Sequence, residues 1–159
     1  MPLIIAAPGQ RRSGAVVKTP VSLVDLYPTL AGLCGVKTPA LQGQSLAPLL
    51  ENPEAAGRGW ALTQQGRDGG GPGQRYFGYT LRTARWRYTE WDEGRRGREL
   101  YDHDADPREE NNLAESVSHQ QDRSELAQLL RTAVRESLPS SGVPPPLGSA
   151  HWSPVLFRQ

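Results

Sequence analysis

Glycine and proline punctuate this chain so densely that its regular elements must be short. There are 17 glycines and 14 prolines among 159 residues, about a fifth of the chain, where ordinary usage is about an eighth. Leu, Ile, Val and Phe together also make up only about a fifth, near the lower edge for a self-sufficient core. The net charge is +1, so the high charge that accompanies disorder is missing. The composition describes a partly ordered chain with a thin core and much loop.

Several function classes fall away at this level. No apolar run approaches the ~20 residues of a membrane span. Cys34 has no partner for a disulfide within the chain. A near-neutral balance argues against nucleic acid as the main ligand. The bases are 16 Arg and 2 Lys, a bias toward fixed, bidentate pairing. No basic stretch precedes the apolar residues 2–7, so no signal peptide is expected from these residues and the compartment is left open.

Residues 2–7 form a continuous apolar run ended by Pro8-Gly9, the pattern of a strand buried on both faces of a parallel sheet. Opening on such a strand implies that the folding unit extends beyond Met1. Leu23, Leu26, Tyr27, Leu30 and Leu33 recur at helical spacing. Pro28 is tolerated only in a first turn, so that helix is expected to start near Asp25 or Leu26. Asp25 is expected to cap it, and Gly35 to stop it. Ser45–Leu50 is a second, short helix with Ser45 as its cap and Pro48 in its first turn. Strands are expected at 60–65, 75–82, 85–91 and 99–101, with Gly66–Gly73 as a loop between the first two. Leu126, Leu129, Leu130, Ala133 and Val134 define a helix over 118–137. Pro and Gly dominate the 138–159 tail.

No complete catalytic set emerges from the residues themselves. Cys34 sits where a helix ends, whose negative pole disfavours a thiolate, and reads as a small buried residue. Gly69-Gly70-Gly71-Pro72-Gly73 lacks the Lys-Ser/Thr ending of a phosphate loop, and no helix follows it. His103 stands among Asp102, Asp104 and Asp106, which read as solvated acids of a turn rather than metal ligands. Arg85, Arg87, Arg95, Arg96 and Arg98 alternate with Trp86, Tyr88 and Trp91 but are interrupted by Glu90, Asp92, Glu93 and Glu99. That pattern predicts a ladder of cross-strand pairs and arginine–aromatic stacks rather than a nucleic-acid patch.

Three groups of motifs, in this order, resemble the C-terminal portion of a type I sulfatase of the iduronate-2-sulfatase-like branch, in the alkaline-phosphatase-like superfamily. The first is Pro2-Leu3-Ile4-Ile5, then Val24-Asp25-Leu26-Tyr27-Pro28-Thr29-Leu30, then Leu41-Gln42-Gly43-Gln44-Ser45-Leu46. The second is Gly78-Tyr79-Thr80-Leu81-Arg82-Thr83 continuing into Trp86-Arg87-Tyr88-Thr89-Glu90-Trp91. The third is Glu99-Leu100-Tyr101-Asp102 with Asp106-Pro107 and Glu110-Asn111-Asn112-Leu113. The resemblance implies an α/β fold with a small antiparallel sheet packed by a C-terminal helix. Residues 1–58 would be the end of the large α/β domain, 59–137 the small-sheet subdomain, and 138–159 a tail.

The family hydrolyses sulfate esters, usually with calcium. Its Cys-x-Pro-Ser-Arg nucleophile motif and metal-binding acids stand upstream of the first strand. Cys34 is followed by Gly35-Val36-Lys37-Thr38, so it does not match that motif. The resemblance therefore implies a sulfated sugar or other sulfate ester as ligand and an N-terminal half as partner. It gives no catalytic or metal-binding residue here, and this portion is expected to be inactive alone. Thr63-Gln64-Gln65-Gly66-Arg67 stands where family members often carry Ser-Gln-aromatic-Pro-Arg, which makes Gln64 and Arg67 substrate-rim candidates. The alternative is a non-catalytic binding module for sulfated glycans or for a protein partner.

Overall fold

A computed structural model describes residues 2–9, 12–69 and 75–138. The chain divides into two compact units, Met1–Ala61 and Leu62–Gln159.

In the first unit, α1 runs over Leu26–Leu33 after a single 3-10 turn at Leu23–Asp25, and α2 over Ala47–Glu51. Pro28 falls in the first turn of α1, where its missing N–H costs nothing. Gly35, at φ +67°, ends the helix. Val36 N–H reaches Ala31 O at 2.8 Å and Gly35 N–H reaches Gly32 O at 3.2 Å, the paired bonds of a left-handed helix stop. Ser45 Oγ accepts the Ala47 N–H at 3.3 Å.

Four expectations for this unit need correction. Asp25 does not cap α1. Its carboxylate accepts Ser22 N–H at 3.0 Å and Gln44 N–H at 2.9 Å and pairs with Arg58 at 3.2 Å. Thr29 and Ala31, rather than the leucines, form the buried side of α1, while Tyr27 and Leu30 are more than half exposed. Cys34 is exposed, because the helix ends before that position can turn inward. Residues 2–7 join no strand. A strand needs a hydrogen-bonded neighbour, and the one sheet among the described residues is built wholly from residues 60–102.

That sheet has the order β1-β2-β3-β4, from β1 (Trp60–Asp68), β2 (Arg75–Thr83), β3 (Trp86–Trp91) and β4 (Arg98–Asp102). β2–β3 and β3–β4 are antiparallel, with Leu81 opposite Tyr88 and Tyr88 opposite Leu100. These three side chains are fully buried and share one face. Against that face packs α3 (Gln120–Ser137), through Leu126, Ala127, Leu130 and Ala133. Pro139 follows within two residues of its end, and the residue before a proline disfavours helix.

β1 continues through Gly66-Arg67-Asp68, which the sequence placed in a loop. Pairing with β2 overrides the local composition. The rest of the glycine-rich stretch, 70–73, lies outside the described residues, as does the tail from 139 on. Arg85 is in the β2–β3 turn, one residue short of the strand expected to begin with it.

Candidate functional site

The two faces of the sheet carry different chemistry. The face under α3 is apolar at its centre and polar at one side. There Tyr88 O–H donates to Glu90 Oε1 at 2.6 Å, and Arg98 Nε stands 3.4 Å from the same oxygen. Burial, then the hydrogen bond to Glu90, pushes the Tyr88 phenol well above its ordinary pKa. With Glu115, Arg123, Ser124 and Arg131 these groups line an open polar cleft of about 430 Å³.

The opposite face carries an arginine–aromatic array. Arg67 on β1 lies over the Trp91 ring, 4.0 Å from its centroid. Tyr76 meets Trp91 edge-on at 6.3 Å, and Arg96 covers Tyr76 at 4.5 Å. Arg87 covers Tyr101 at 5.0 Å. Trp91 is fixed on two sides. Its indole N–H donates to Glu99 at 2.9 Å. It lies over Gly78, its partner in the ladder, where a Cβ would come 2.3 Å from the ring. The expected cross-strand and stacking pattern is present, and several arginines that compose it also hold carboxylates.

The substrate-rim candidates are placed on opposite faces. Gln64 Nε2 donates to Tyr79 Oη at 3.0 Å, and Tyr79 opposes Glu90. Arg67 contacts Trp91, which opposes Gly78. Adjacent strand residues alternate faces, so the neighbours Gly78 and Tyr79, and hence Arg67 and Gln64, point to opposite sides. Both candidates are exposed on an edge strand. Burial raises the Tyr79 phenol, partly offset by the bond from Gln64.

His103 and the neighbouring acids are a structural clip. His103 bridges Arg82, at 3.0 Å from Nδ1, and Glu109, at 2.7 Å from Nε2. A guanidinium only donates, so Nδ1 accepts and Nε2 carries the proton given to Glu109. Asp102 corrects the reading of solvated acids: it is 6% exposed and takes a two-pronged pair from Arg85 at 2.9 and 2.6 Å. The Arg85 guanidinium holds that carboxyl below its ordinary pKa. Asp106 accepts the Asn111 N–H at 2.8 Å, which lowers its pKa. Among the described residues no group of three His, Cys, Asp or Glu is placed to hold a metal ion, so this donor set does not fit calcium.

Sequence reasoning missed the roles of Gly78 and Glu99. A glycine inside a strand pattern marks a close approach, and Gly78 between Phe77 and Tyr79 is that signal.

Residues 1–136 match the family described as N-sulphoglucosamine sulphohydrolase, C-terminal. The chain belongs to this sulfatase family. Arylsulfatase K of Danio rerio is 38% identical over 102 residues, covering 59% of this chain and 18% of that protein. An N-acetylglucosamine-6-O-sulfatase of Bacteroides thetaiotaomicron is 32% identical over 145 residues, covering 86% of this chain and 25% of that protein. A structure solved with its substrate D-glucosamine-2-N,6-O-disulfate superposes with a TM-score of 0.60 at 30% identity, covering 70% of this chain and 23% of the other. The chain thus spans about a fifth to a quarter of the sulfatases it matches. The α/β fold of a type I sulfatase's C-terminal portion, expected from the motifs, is the fold these matches carry. The family matched is named for sulphoglucosamine sulphohydrolase rather than for the iduronate-2-sulfatase branch.

Proposed function

We propose that this chain is the C-terminal portion of a sulfatase that hydrolyses the sulfate ester of a sulfated sugar. The nucleophile and the divalent cation, calcium in this reading, are supplied by residues outside those described. The observation that carries the proposal is the family match over residues 1–136, joined to relatives whose names specify sulfated sugars. In this reading residues 1–58 are the end of the large α/β domain and residues 59–137 the small-sheet subdomain. The outward apolar face of α1 supports a role inside a larger assembly, because such faces mark contact surfaces.

The rim of the substrate site is formed by the exposed half of β1. Gln64 is committed to Tyr79, so Arg67 is the residue of this pair that contacts the ligand. Sulfate transfer needs an activated oxygen nucleophile and stabilisation of charge on the sulfuryl oxygens. This portion supplies binding rather than those groups.

The purified 159-residue chain, given an aryl sulfate and calcium, is expected to show no turnover. Turnover above the rate without protein overturns the reading that the chemistry resides elsewhere.

A further inference from the structure

Five arginines lie over aromatic rings among the described residues: Arg58 on Trp60, Arg67 on Trp91, Arg85 on Trp86, Arg87 on Tyr101 and Arg96 on Tyr76. Four of them also hold a carboxylate. Arg58 pairs with Asp25 at 3.2 Å, Arg85 with Asp102 at 2.6 Å, Arg87 with Glu109 at 2.6 Å and Arg96 with Asp92 at 3.6 Å. Arg67 has the shortest stack of the five and, among the described residues, no carboxylate partner. Its sequence neighbour Asp68 pairs with Arg75 instead.

A guanidinium stacked flat on a ring keeps its in-plane N–H edge open for two parallel hydrogen bonds. The ring under Arg67 is itself held, by Glu99 on the indole N–H and by the absence of a Cβ on Gly78. We propose that Arg67 and Trp91 form a pre-organised oxyanion receptor, with Trp91 as the positioning residue, that takes a sulfate group of a sugar by bidentate contact. The acceptor of the fifth stack, which the described residues do not supply, is the ligand. Pre-organisation raises affinity by lowering the rotamer freedom lost on binding. This inference rests on the reading of Arg67 as the ligand-contacting residue of the rim.

The test is titration of the full chain with D-glucosamine-2-N,6-O-disulfate, followed by NMR of the arginine side chains. In the unliganded chain the Arg67 side-chain resonances are expected to be shifted by the Trp91 ring current. That shift is lost in Trp91→Leu and kept in Trp91→Phe. Arg67→Gln is expected to weaken binding at least about tenfold, by loss of a charged bidentate contact. Trp91→Leu weakens it roughly two- to fivefold, the worth of an exposed cation–π contact, and Trp91→Phe restores most of the loss. Glu99→Gln, which loosens the indole without removing it, serves as the second variant if Trp91→Leu does not fold.

No binding by the wild-type chain, or equal binding by Arg67→Gln, overturns the underlying reading of Arg67. Weakening by Arg67→Gln with none from the folded Trp91→Leu or Glu99→Gln variant leaves that reading standing and overturns the positioning role.

Discussion

Replacing Gly78 by alanine adds one methyl group at a crowded point of the arginine-bearing face. The new Cβ would lie 2.3 Å from both Cε3 and Cζ3 of Trp91 and 2.9 Å from Cδ2. Carbon atoms rest near 3.5–4.0 Å, so the ring must withdraw by more than an ångström. Three contacts depend on its present position: the N–H bond to Glu99 at 2.9 Å, the edge-on contact with Tyr76 and the Arg67 stack. A hydrogen bond to a charged group is worth roughly 1.5–3 kcal/mol, an aromatic pair ~0.5–1.5 and an exposed cation–π contact ~0.5–1. Partial loss of all three matches the ~1–3 kcal/mol typical of overpacking. Alanine returns about 0.4–1 kcal/mol by restricting the unfolded chain. The net expectation is a loss of about 1 kcal/mol, or a fall in melting temperature of roughly 4–8 °C for a unit of this size. Thermal unfolding followed by near-ultraviolet circular dichroism measures it. The same substitution in a Trp91→Thr background should be neutral or slightly stabilising. An unchanged midpoint in the first case, or an equal loss in both, would refute the steric argument.

Four further outcomes are expected. Tyr88→Phe removes the donor to Glu90 and should cost about 1.5–3 kcal/mol in urea unfolding. Because the folded phenol titrates above its ordinary range, the bond's stabilisation is complete below pH ~10 and is lost as pH rises further, so the variant should also flatten the alkaline limb. Asp102 has the opposite sign: its carboxyl is lowered by Arg85, so its contribution is complete above pH ~4 and lost as pH falls through the folded value. Asp102→Asn should leave an acid-unfolding profile measurably shallower than wild type. Asp92 and Glu93 both adopt left-handed backbone at φ +52° and +56°. Glu93→Gly should raise stability by roughly 0.5–1 kcal/mol, the relief of strain less the entropy of glycine. Finally, Tyr27 and Leu30, at 59% and 53% exposure, should drive self-association seen in sedimentation velocity; Tyr27→Lys with Leu30→Glu should reduce it without changing far-ultraviolet dichroism.

Elements whose periodicity is reinforced locally were legible in the sequence. The alternation of Trp86, Tyr88 and Glu90 with Arg87 and Thr89 places β3, and the leucines of 118–137 place α3, because both patterns are satisfied within the same unit. The outward face of α1 was not legible. Its apolar spacing identifies a helix, but spacing does not say which partner covers the stripe. Residues 2–7 fail for a related reason: a strand is a property of a pair, and composition reports only one member. At the candidate site, Arg67 was found by its place in a motif. Its setting was not, because Trp91 and Gly78 reach it across strand pairing, at separations that no local pattern encodes.

The Asp25 carboxylate has a thermodynamic consequence for the Met1–Ala61 unit. It gathers Ser22, Gln44 and Arg58, and Thr29 beside it accepts Leu46 N–H at 2.8 Å. Among the described residues the buried apolar set of this unit is small: Ala31, Leu46 and Leu49. Order maintained by polar bonds exposes little new hydrocarbon when it is lost. Unfolding of this unit should therefore carry a low heat-capacity increment and a shallow denaturant slope. Its stability curve would be broad and flat, so that cooling weakens it less than it weakens a segment organised around a leucine core.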